Sequence, residues 1–173
     1  MTPERLQALH DAKLRAELAA ADALLPGGDP DALAGDPRSR AVLVAQARSA
    51  GAFEAATKAL AALGFDESTP FSVVTRSVDA APGLRALRLA AVIEAVDPVL
   101  VVAIDAGGAE DLESAYGLSG LRPGEPVRVR GRVAGSVGDL GVSLADDAAK
   151  RRAWGAFKAL AVALPTGTRT GRP

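Results

Sequence analysis

The chain has no cysteine and only one histidine, His10, among its 173 residues. Without thiols it can form no disulfide, and it offers no thiolate ligand to zinc or to an iron–sulfur cluster. A single histidine cannot build a multi-histidine metal site. We therefore expect a protein with no metal and no cofactor.

Aromatic residues are scarce at 3% of the chain, although hydrophobic residues as a whole reach 49%. The apolar content is thus mostly small and aliphatic, which favours close packing of helices on a sheet. No apolar run approaches the ~20 residues that a membrane-spanning helix needs. The N-terminal stretch is charged from its first turn and lacks the apolar segment of a signal peptide. We expect a cytoplasmic protein without membrane contact.

Neither sign of charge is in excess, because 20 basic residues face 21 acidic ones and the net charge is −1. Contact with nucleic acid would therefore depend on a local basic patch. The length fits one domain that folds without disulfides or metals. We divide the chain into an N-terminal helix with a wrapping loop (1–39), an α/β domain (40–164) and a disordered tail (165–173).

The clearest strand is VLVVAI at residues 99–104, which is apolar at every position. Such a strand is buried on both faces, as at the centre of a parallel sheet. The segment AVLVA (Ala41–Ala45) has the same character, FSVVT at 71–75 is a shorter strand, and 127–137 forms a hairpin or a bent strand. Further segments have helical periodicity, among them 53–63, 84–96, 109–116 and a last helix from Asp146. The order predicts a three-layer α/β/α sandwich with a mostly parallel central sheet of about four strands.

Ligands of such folds bind beyond the carboxyl ends of the strands, near the point where the strand order reverses. The loops at that edge are residues 46–51, 76–83, 105–108 and 135–142. Polar side chains there are the candidates for a site, and Asp105, which leads into a helix, is expected to be its cap.

Several segments, taken together, resemble the uracil-DNA glycosylase superfamily, near its bacterial family-4 and family-5 type. VIEAVDPVLVVAID at 92–105 is similar to the family phrase EIELLRPKVIVALG, and LAALGF at 60–65 is similar to LxxLGL. Residues 139–160 resemble the family ending HPSxLxx(N/D)PEAKRxxWxxLK, with these positions in place: Lys150, Arg151, Trp154 and Lys158. The similarity spans most of residues 40–160.

The resemblance implies an α/β domain that acts on DNA, but the residues of the family's chemistry are replaced. Gln46 stands at the glutamate position of the first loop, and Arg48 stands at a proline position. The histidine position falls at or next to Asp139, the asparagine position near Thr75, and the cluster cysteines are absent. The sequence favours a degenerate member that binds DNA, or a DNA-repair or replication protein, without excising bases. The alternatives are an active glycosylase with unusual residues and a protein–protein module with no nucleic-acid role.

Four residues are candidates for a base-binding pocket: Gln46, Ala47, Phe53 and Thr75. Gln46 and Thr75 would hydrogen-bond a base edge or simply cap neighbouring loops, and Phe53 would stack on a base or belong to the core. Gln46 and Asp139 are weak catalytic candidates for positioning water. For Asp139, accepting backbone N–H groups in its turn is the favoured interpretation. We expect Trp154 to lie in the core.

Three arginines alternate with valines in the last predicted strand: Arg128, Arg130 and Arg132. At this spacing they would share one face of a single strand and contact DNA phosphates. We expect Arg48 and Arg151 to contribute to the same basic surface, with the run around Arg151 close to the strand. Alternating charge also protects an edge strand from unwanted pairing, and both interpretations stay open.

Overall fold

The computed structural model of the chain describes residues 2–25, 32–65, 69–76 and 80–165. The predicted tail, from residue 166 onward, lies outside the described residues. The helices and strands follow one another in this order: α1 (Pro3–Asp22), β1 (Leu33–Ala34), β2 (Ala41–Ala45), α2 (Ala50–Ala62), β3 (Phe71–Val74), α3 (Pro82–Val96), β4 (Leu100–Ala103), α4 (Ala106–Tyr116), β5 (Val127–Val129), β6 (Arg132–Ser136), α5 (Leu140–Ser143) and α6 (Asp147–Val162).

The strands form one mixed sheet in the order β1-β3-β2-β4-β6-β5. The inner strands β3, β2, β4 and β6 are parallel, and the edge strands β1 and β5 are antiparallel to their neighbours. Every residue of β2 and β4 is buried, as expected of strands that are apolar at every position. The prediction of a mostly parallel central sheet is confirmed.

The predicted number of about four strands is too low, since the described residues contribute six to the sheet. Leu33 and Ala34 lie in a segment that we predicted to be a loop. They form β1 and pair with Val73 and Ser72. Two residues are too few for an alternating pattern to indicate a strand. The sixth strand arises because residues 127–137 form a hairpin rather than one bent strand.

Helices cover both faces of the sheet and make the three layers. Leu43 and Val102 point into a core shared with α2, α5 and α6. Val44 and Val101 point the other way, into a core shared with α1, α3 and α4. Within the described part of the chain, no helix combines the length and the apolar character that crossing a membrane requires.

Two helices differ from their predictions. Helix α4 begins at Ala106 rather than near residue 109, because the Asp105 side chain caps it and the following glycines form its first turn. Trp154 is 37% exposed, so its assignment to the core is wrong. The buried positions of α6 centre on Ala153, Ala156 and Leu160, and Trp154 lies to one side of that face.

Candidate functional site

The strand order reverses between β2 and β4, because β3 lies on one side of β2 and β4 on the other. Asp105 joins the two loops that leave these strands. Its carboxylate accepts from the Gln46 backbone N–H at 2.9 Å to each oxygen, and from the Gly108 N–H at 2.6 Å. The expected role of Asp105 as a helix cap is confirmed, and the same carboxylate also holds the loop after β2.

The side chain of Gln46 lies against the first turn of α4. A Cβ added at Gly107 would fall 2.5 Å from Gln46 Cδ, so only glycine leaves room for this side chain. When the Gln46 amide is assigned with its oxygen toward Arg76, as the hydrogen-bond donors there require, that oxygen accepts from Arg76 Nη1 and, at 3.3 Å, from Arg76 Nε. The Gln46 backbone carbonyl accepts from the Arg76 N–H at 3.1 Å. The backbone N–H, the backbone carbonyl and the amide oxygen of Gln46 are thus bound within the protein.

Arg76 belongs to a charged cluster that the sequence did not indicate. Its Nη2 lies 3.3 Å from Glu110 and its Nε lies 4.0 Å from Asp111, whose side chain is 3% exposed. Arg85 approaches the same Asp111 at 3.4 Å and also donates to the Ala80 carbonyl. Two arginines therefore neutralise one buried carboxylate beside the ends of β2 and β3. Separations of 26 and 35 residues explain why no local pattern reveals this cluster.

The other predicted pocket residues do not gather around Gln46 as a base-binding set. Thr75 is 2% exposed, and both its hydroxyl (3.3 Å) and its N–H (2.8 Å) donate to the Ala45 carbonyl. Ala47 is exposed. Phe53 is half-buried and packs against the core on the α2 side, with the Arg48 guanidinium carbon 5.9 Å from its ring centroid. Phe53 therefore has the core contacts expected of a helical apolar residue.

Asp139 is exposed and begins the four-residue helix α5. Its carboxylate accepts from the Val142 N–H at 3.0 Å, and its carbonyl accepts from the Ser143 hydroxyl at 2.7 Å. The favoured interpretation, in which the carboxylate accepts a backbone N–H, is confirmed.

The three alternating arginines do not share one strand face, so that prediction is wrong. The chain turns at Arg130 and Gly131, which have φ angles of 48° and 85°, and Val129 pairs with Arg132 while Arg128 pairs with Val133. Opposite partners share a face, so Arg128 and Arg132 point to opposite faces of the hairpin. As the alternative interpretation required, Arg128 lies on the edge strand β5.

The basic run around Arg151 does not lie close to this hairpin either. Arg128 donates to the Ala163 carbonyl at 2.8 Å, which is the C-terminal end of α6. Arg151 is twelve residues earlier on the same helix, about 18 Å along its axis. The predicted basic surface is therefore divided between two ends of α6.

Arg132 is buried in an ion-pair cluster with the end of α3. Its guanidinium donates to Glu94 at 2.8 and 3.1 Å and to Asp97 at 2.7 Å. Burial opposes the charge on Arg132, but the bonds to Glu94 and Asp97 outweigh it and raise the pKa of Arg132. Burial also acts against ionised Glu94, yet the bonds from Arg132 leave the pKa of Glu94 lowered. These contacts commit Arg132 to the structure of the domain.

Tyr116, the one tyrosine of the chain, donates to Glu94 at 3.1 Å and should ionise near pH 12. Burial is the main cause that raises its pKa to about 12, and the charge of Glu94 adds to it. A spectrophotometric titration should show this shift from the ordinary value of about 10. The folded state holds the proton more tightly. The resulting stabilisation is therefore complete below about pH 10 and is lost as the pH rises toward 12.

The Glu94→Gln variant serves as the control for this titration, and its tyrosine should ionise at lower pH because one cause of the shift is removed. Circular dichroism recorded at each pH establishes that the chain is folded. Ionisation of Tyr116 near pH 10 in the folded chain would contradict the expectation.

The surface that stands out instead is one face of α6. Lys150, Arg151, Trp154 and Lys158 follow an i, i+1, i+4 and i+8 spacing, which at about 100° per residue keeps the four side chains within one sector of the helix. Lys158 Nζ lies 5.7 Å from the Trp154 ring centroid, and Lys150 pairs with Asp147 at 3.1 Å. Arg151 forms no ion pair within the described ranges. We call these four residues the α6 basic face; the helical spacing of the basic residues around the tryptophan is the signal that indicates it.

No protein-family model matches the chain, and a search of curated proteins found no match. Among the described residues, no three His, Asp or Glu side chains converge as metal ligands would.

Proposed function

We propose that the chain is a DNA-binding protein of the uracil-DNA glycosylase-like type that does not excise bases, and that it contacts single-stranded DNA through the α6 basic face. The observation that carries this proposal is the exposed Trp154 between basic side chains on one helical face. An aromatic ring that stacks on a base, flanked by cations that contact phosphates, is the usual arrangement for single-stranded nucleic acid. Its contribution does not depend on sequence, since every base has a flat face.

The absence of base excision in this proposal rests on how the candidate catalytic groups are bound. Gln46 directs its amide oxygen to Arg76, and the Asp139 carboxylate accepts from a backbone N–H. A group that positions water for attack needs an oxygen available to that water. The Thr75 hydroxyl, predicted to bind a base rather than to catalyse, is buried and donates to a backbone carbonyl. The contacts of Gln46 and Thr75 favour binding over catalysis, whereas the exposed Asp139 carboxylate uses only one of its two oxygens for the backbone N–H.

Arg48 extends the proposed surface. It is exposed in the loop after β2, and the neighbouring Ser49 lies close to α5, since a Cβ added at Gly141 would be 3.8 Å from Ser49 Oγ. Helix α5 leads directly into α6. A strand bound along α6 would therefore pass toward Arg48, which supplies a further cation for its phosphates. In contrast, Arg132 is omitted from the proposed interface because its guanidinium is buried in ion pairs.

The double variant Arg151→Glu/Lys158→Glu should bind labelled single-stranded DNA at least tenfold more weakly than the parent chain. Loss of two phosphate contacts should also reduce the slope of log K against log salt by about 1.4 for single strands. Fluorescence anisotropy over a salt series measures both. Trp154, the one tryptophan of the chain, adds a direct signal, because its emission should be quenched when a base stacks on it.

The matched control is Lys13→Glu/Arg15→Glu, which changes the net charge equally on α1 in the opposite helical layer. Equal weakening of DNA binding by both double variants would attribute the effect to net charge and contradict a specific role of the α6 basic face. Base release from uracil-containing DNA, scored after alkaline cleavage, would overturn the non-excising proposal in favour of an active glycosylase. If the chain neither binds DNA nor releases uracil, the DNA proposal is contradicted and the protein–protein alternative remains.

A further inference from the structure

A cleft of about 540 Å³ lies at the carboxyl end of β6, against the flank of α6 that carries Arg152. It is bounded by the turn before β5, by the residues after β6 and by the N-terminal half of α6. Residues that define its walls are Pro123, Gly124, Gly138, Ser143, Arg152 and Gly155. Its size is within the roughly 300–1,000 Å³ typical of sites for small molecules.

Hydrogen bonds from two backbone N–H groups attach the two walls of this cleft to Ser136, the last residue of β6. The Gly124 N–H donates to the Ser136 carbonyl at 2.9 Å, and the Gly138 N–H donates to the Ser136 hydroxyl at 3.0 Å. A Cβ added at Gly124 would be 3.2 Å from Ala156 Cα, so the turn lies directly on α6. The cleft is therefore formed by the fold itself before any ligand enters.

The lining of the cleft combines one cation with small apolar side chains. Arg152 is the charged residue of the lining, and it has no ion-pair partner in the described ranges. A guanidinium in that state can donate two parallel hydrogen bonds to a phosphate. Pro123, Val137 and Ala153 supply apolar surface, and the glycines allow a flat ring to approach the backbone closely.

We propose that this cleft binds a nucleoside 5′-monophosphate unit, with its phosphate on Arg152 and its base along the apolar wall. The unit is either free or the 5′ end of a DNA strand. The second source rests on the proposed function, because a strand held by Arg151 would reach the cleft by crossing the exposed side of α6, about 100° around the helix from Arg151 to Arg152. In the second case the cleft binds the 5′ end of a DNA strand and not its interior.

The test uses dTMP, thymidine and inorganic phosphate as probes in separate ¹H–¹⁵N NMR titrations of the full chain. We expect dTMP to shift the amide signals of Gly124 and Gly138, and thymidine or phosphate alone to bind at least tenfold more weakly. Gly155→Leu should abolish the dTMP shifts by filling the cleft. An added Cβ at Gly155 meets no atom within 4 Å, so this variant should fold. Arg152→Ala should weaken dTMP binding at least tenfold, whereas Arg15→Ala, on α1 in the opposite helical layer, should leave dTMP binding unchanged.

Oligonucleotides with and without a 5′-phosphate separate the two sources and the two proposals. If the strand end is the ligand, the phosphorylated oligonucleotide binds more tightly, and Gly155→Leu removes that preference while retaining binding of the strand body. Another outcome would overturn the cleft proposal alone. In it, Arg151→Ala weakens strand binding, Gly155→Leu and the 5′-phosphate do not affect strand binding, and dTMP causes no shifts. Binding of dTMP without any strand binding would establish the free nucleotide as ligand and overturn the proposed function alone.

Discussion

Replacing Arg132 with methionine should lower the free energy of unfolding by about 2–3 kcal/mol at pH 7. The substitution leaves Glu94 and Asp97 without their shared cation at the C-terminal end of α3. That end of a helix already carries partial negative charge, so both carboxylates become unfavourable there. The figure is below the 3–5 kcal/mol usual for breaking a fully buried pair, because Glu94 is 38% and Asp97 80% exposed. Urea denaturation followed by circular dichroism measures the change.

The pH dependence of this loss separates charge from packing. The pKa of Glu94 is lowered in the folded chain, so its stabilisation is present above its unfolded pKa and is lost as the pH falls through the folded one. The difference between the parent chain and Arg132→Met should therefore shrink in acid. Arg128→Met, on the opposite face of the same hairpin, is the control and should change stability by no more than about 0.5 kcal/mol. A pH-independent loss would attribute the effect to packing.

Substitution of Gly108 by alanine should destabilise the domain by about 2 kcal/mol or more. An added Cβ would fall 2.7 Å from the Val44 carbonyl oxygen and 2.9 Å from Ala45 Cα, both of which are backbone atoms of the central strand β2. Neither can move by rotating a side chain. Helix α4 must therefore shift away from β2, which disturbs the hydrogen bonds of Asp105 to Gln46 and Gly108. Chemical denaturation measures the stability, and the Gln46 amide signal reports on the disturbed contact.

Gly155→Ala provides the matched comparison, because Gly155 is also helical and an added Cβ there meets no atom within 4 Å. Alanine is favoured over glycine inside a helix by about 0.5–1 kcal/mol, so this variant should be more stable than the parent chain. The same chemical change should thus have opposite signs at the two positions. A loss at both would mean that the close approach of α4 to β2 is not the cause.

The sequence predicts the central layers of the fold because they depend on short-range patterns. Ala41–Ala45 and the strand of Leu100–Ala103 are uniformly apolar, and burial on two faces leaves them only the middle of a parallel sheet. Asp105 was correctly predicted as a cap because capping depends on the residues directly after it. Each of these features depends on residues that are neighbours in the sequence.

The candidate site is predicted less well, because its contacts join distant segments. A period of two places Arg128 and Arg132 on one face only if the strand continues, and the turn at Arg130 reverses that relation. Arginine is unusual at the positive φ of 48° that this turn requires, so composition gave little sign of it. The pairing of Arg85 with Asp111 likewise depends on the packing of α3 on α4, and that of Arg76 depends on the position of the end of β3 beside α4.

The position of β2 beside β4 also bears on how the chain is synthesised and folded. Ala41 is paired with Leu100, so the innermost contact of the sheet joins residues 59 positions apart, and β3 lies outside this pair although it comes between them in sequence. A nascent chain that ends before β4 leaves one edge of β2 unpaired, with apolar side chains on both faces. High contact order of this kind slows folding and prolongs exposure to aggregation. The order of the strands thus makes the interval of synthesis before β4 emerges the one in which the chain is most exposed to aggregation.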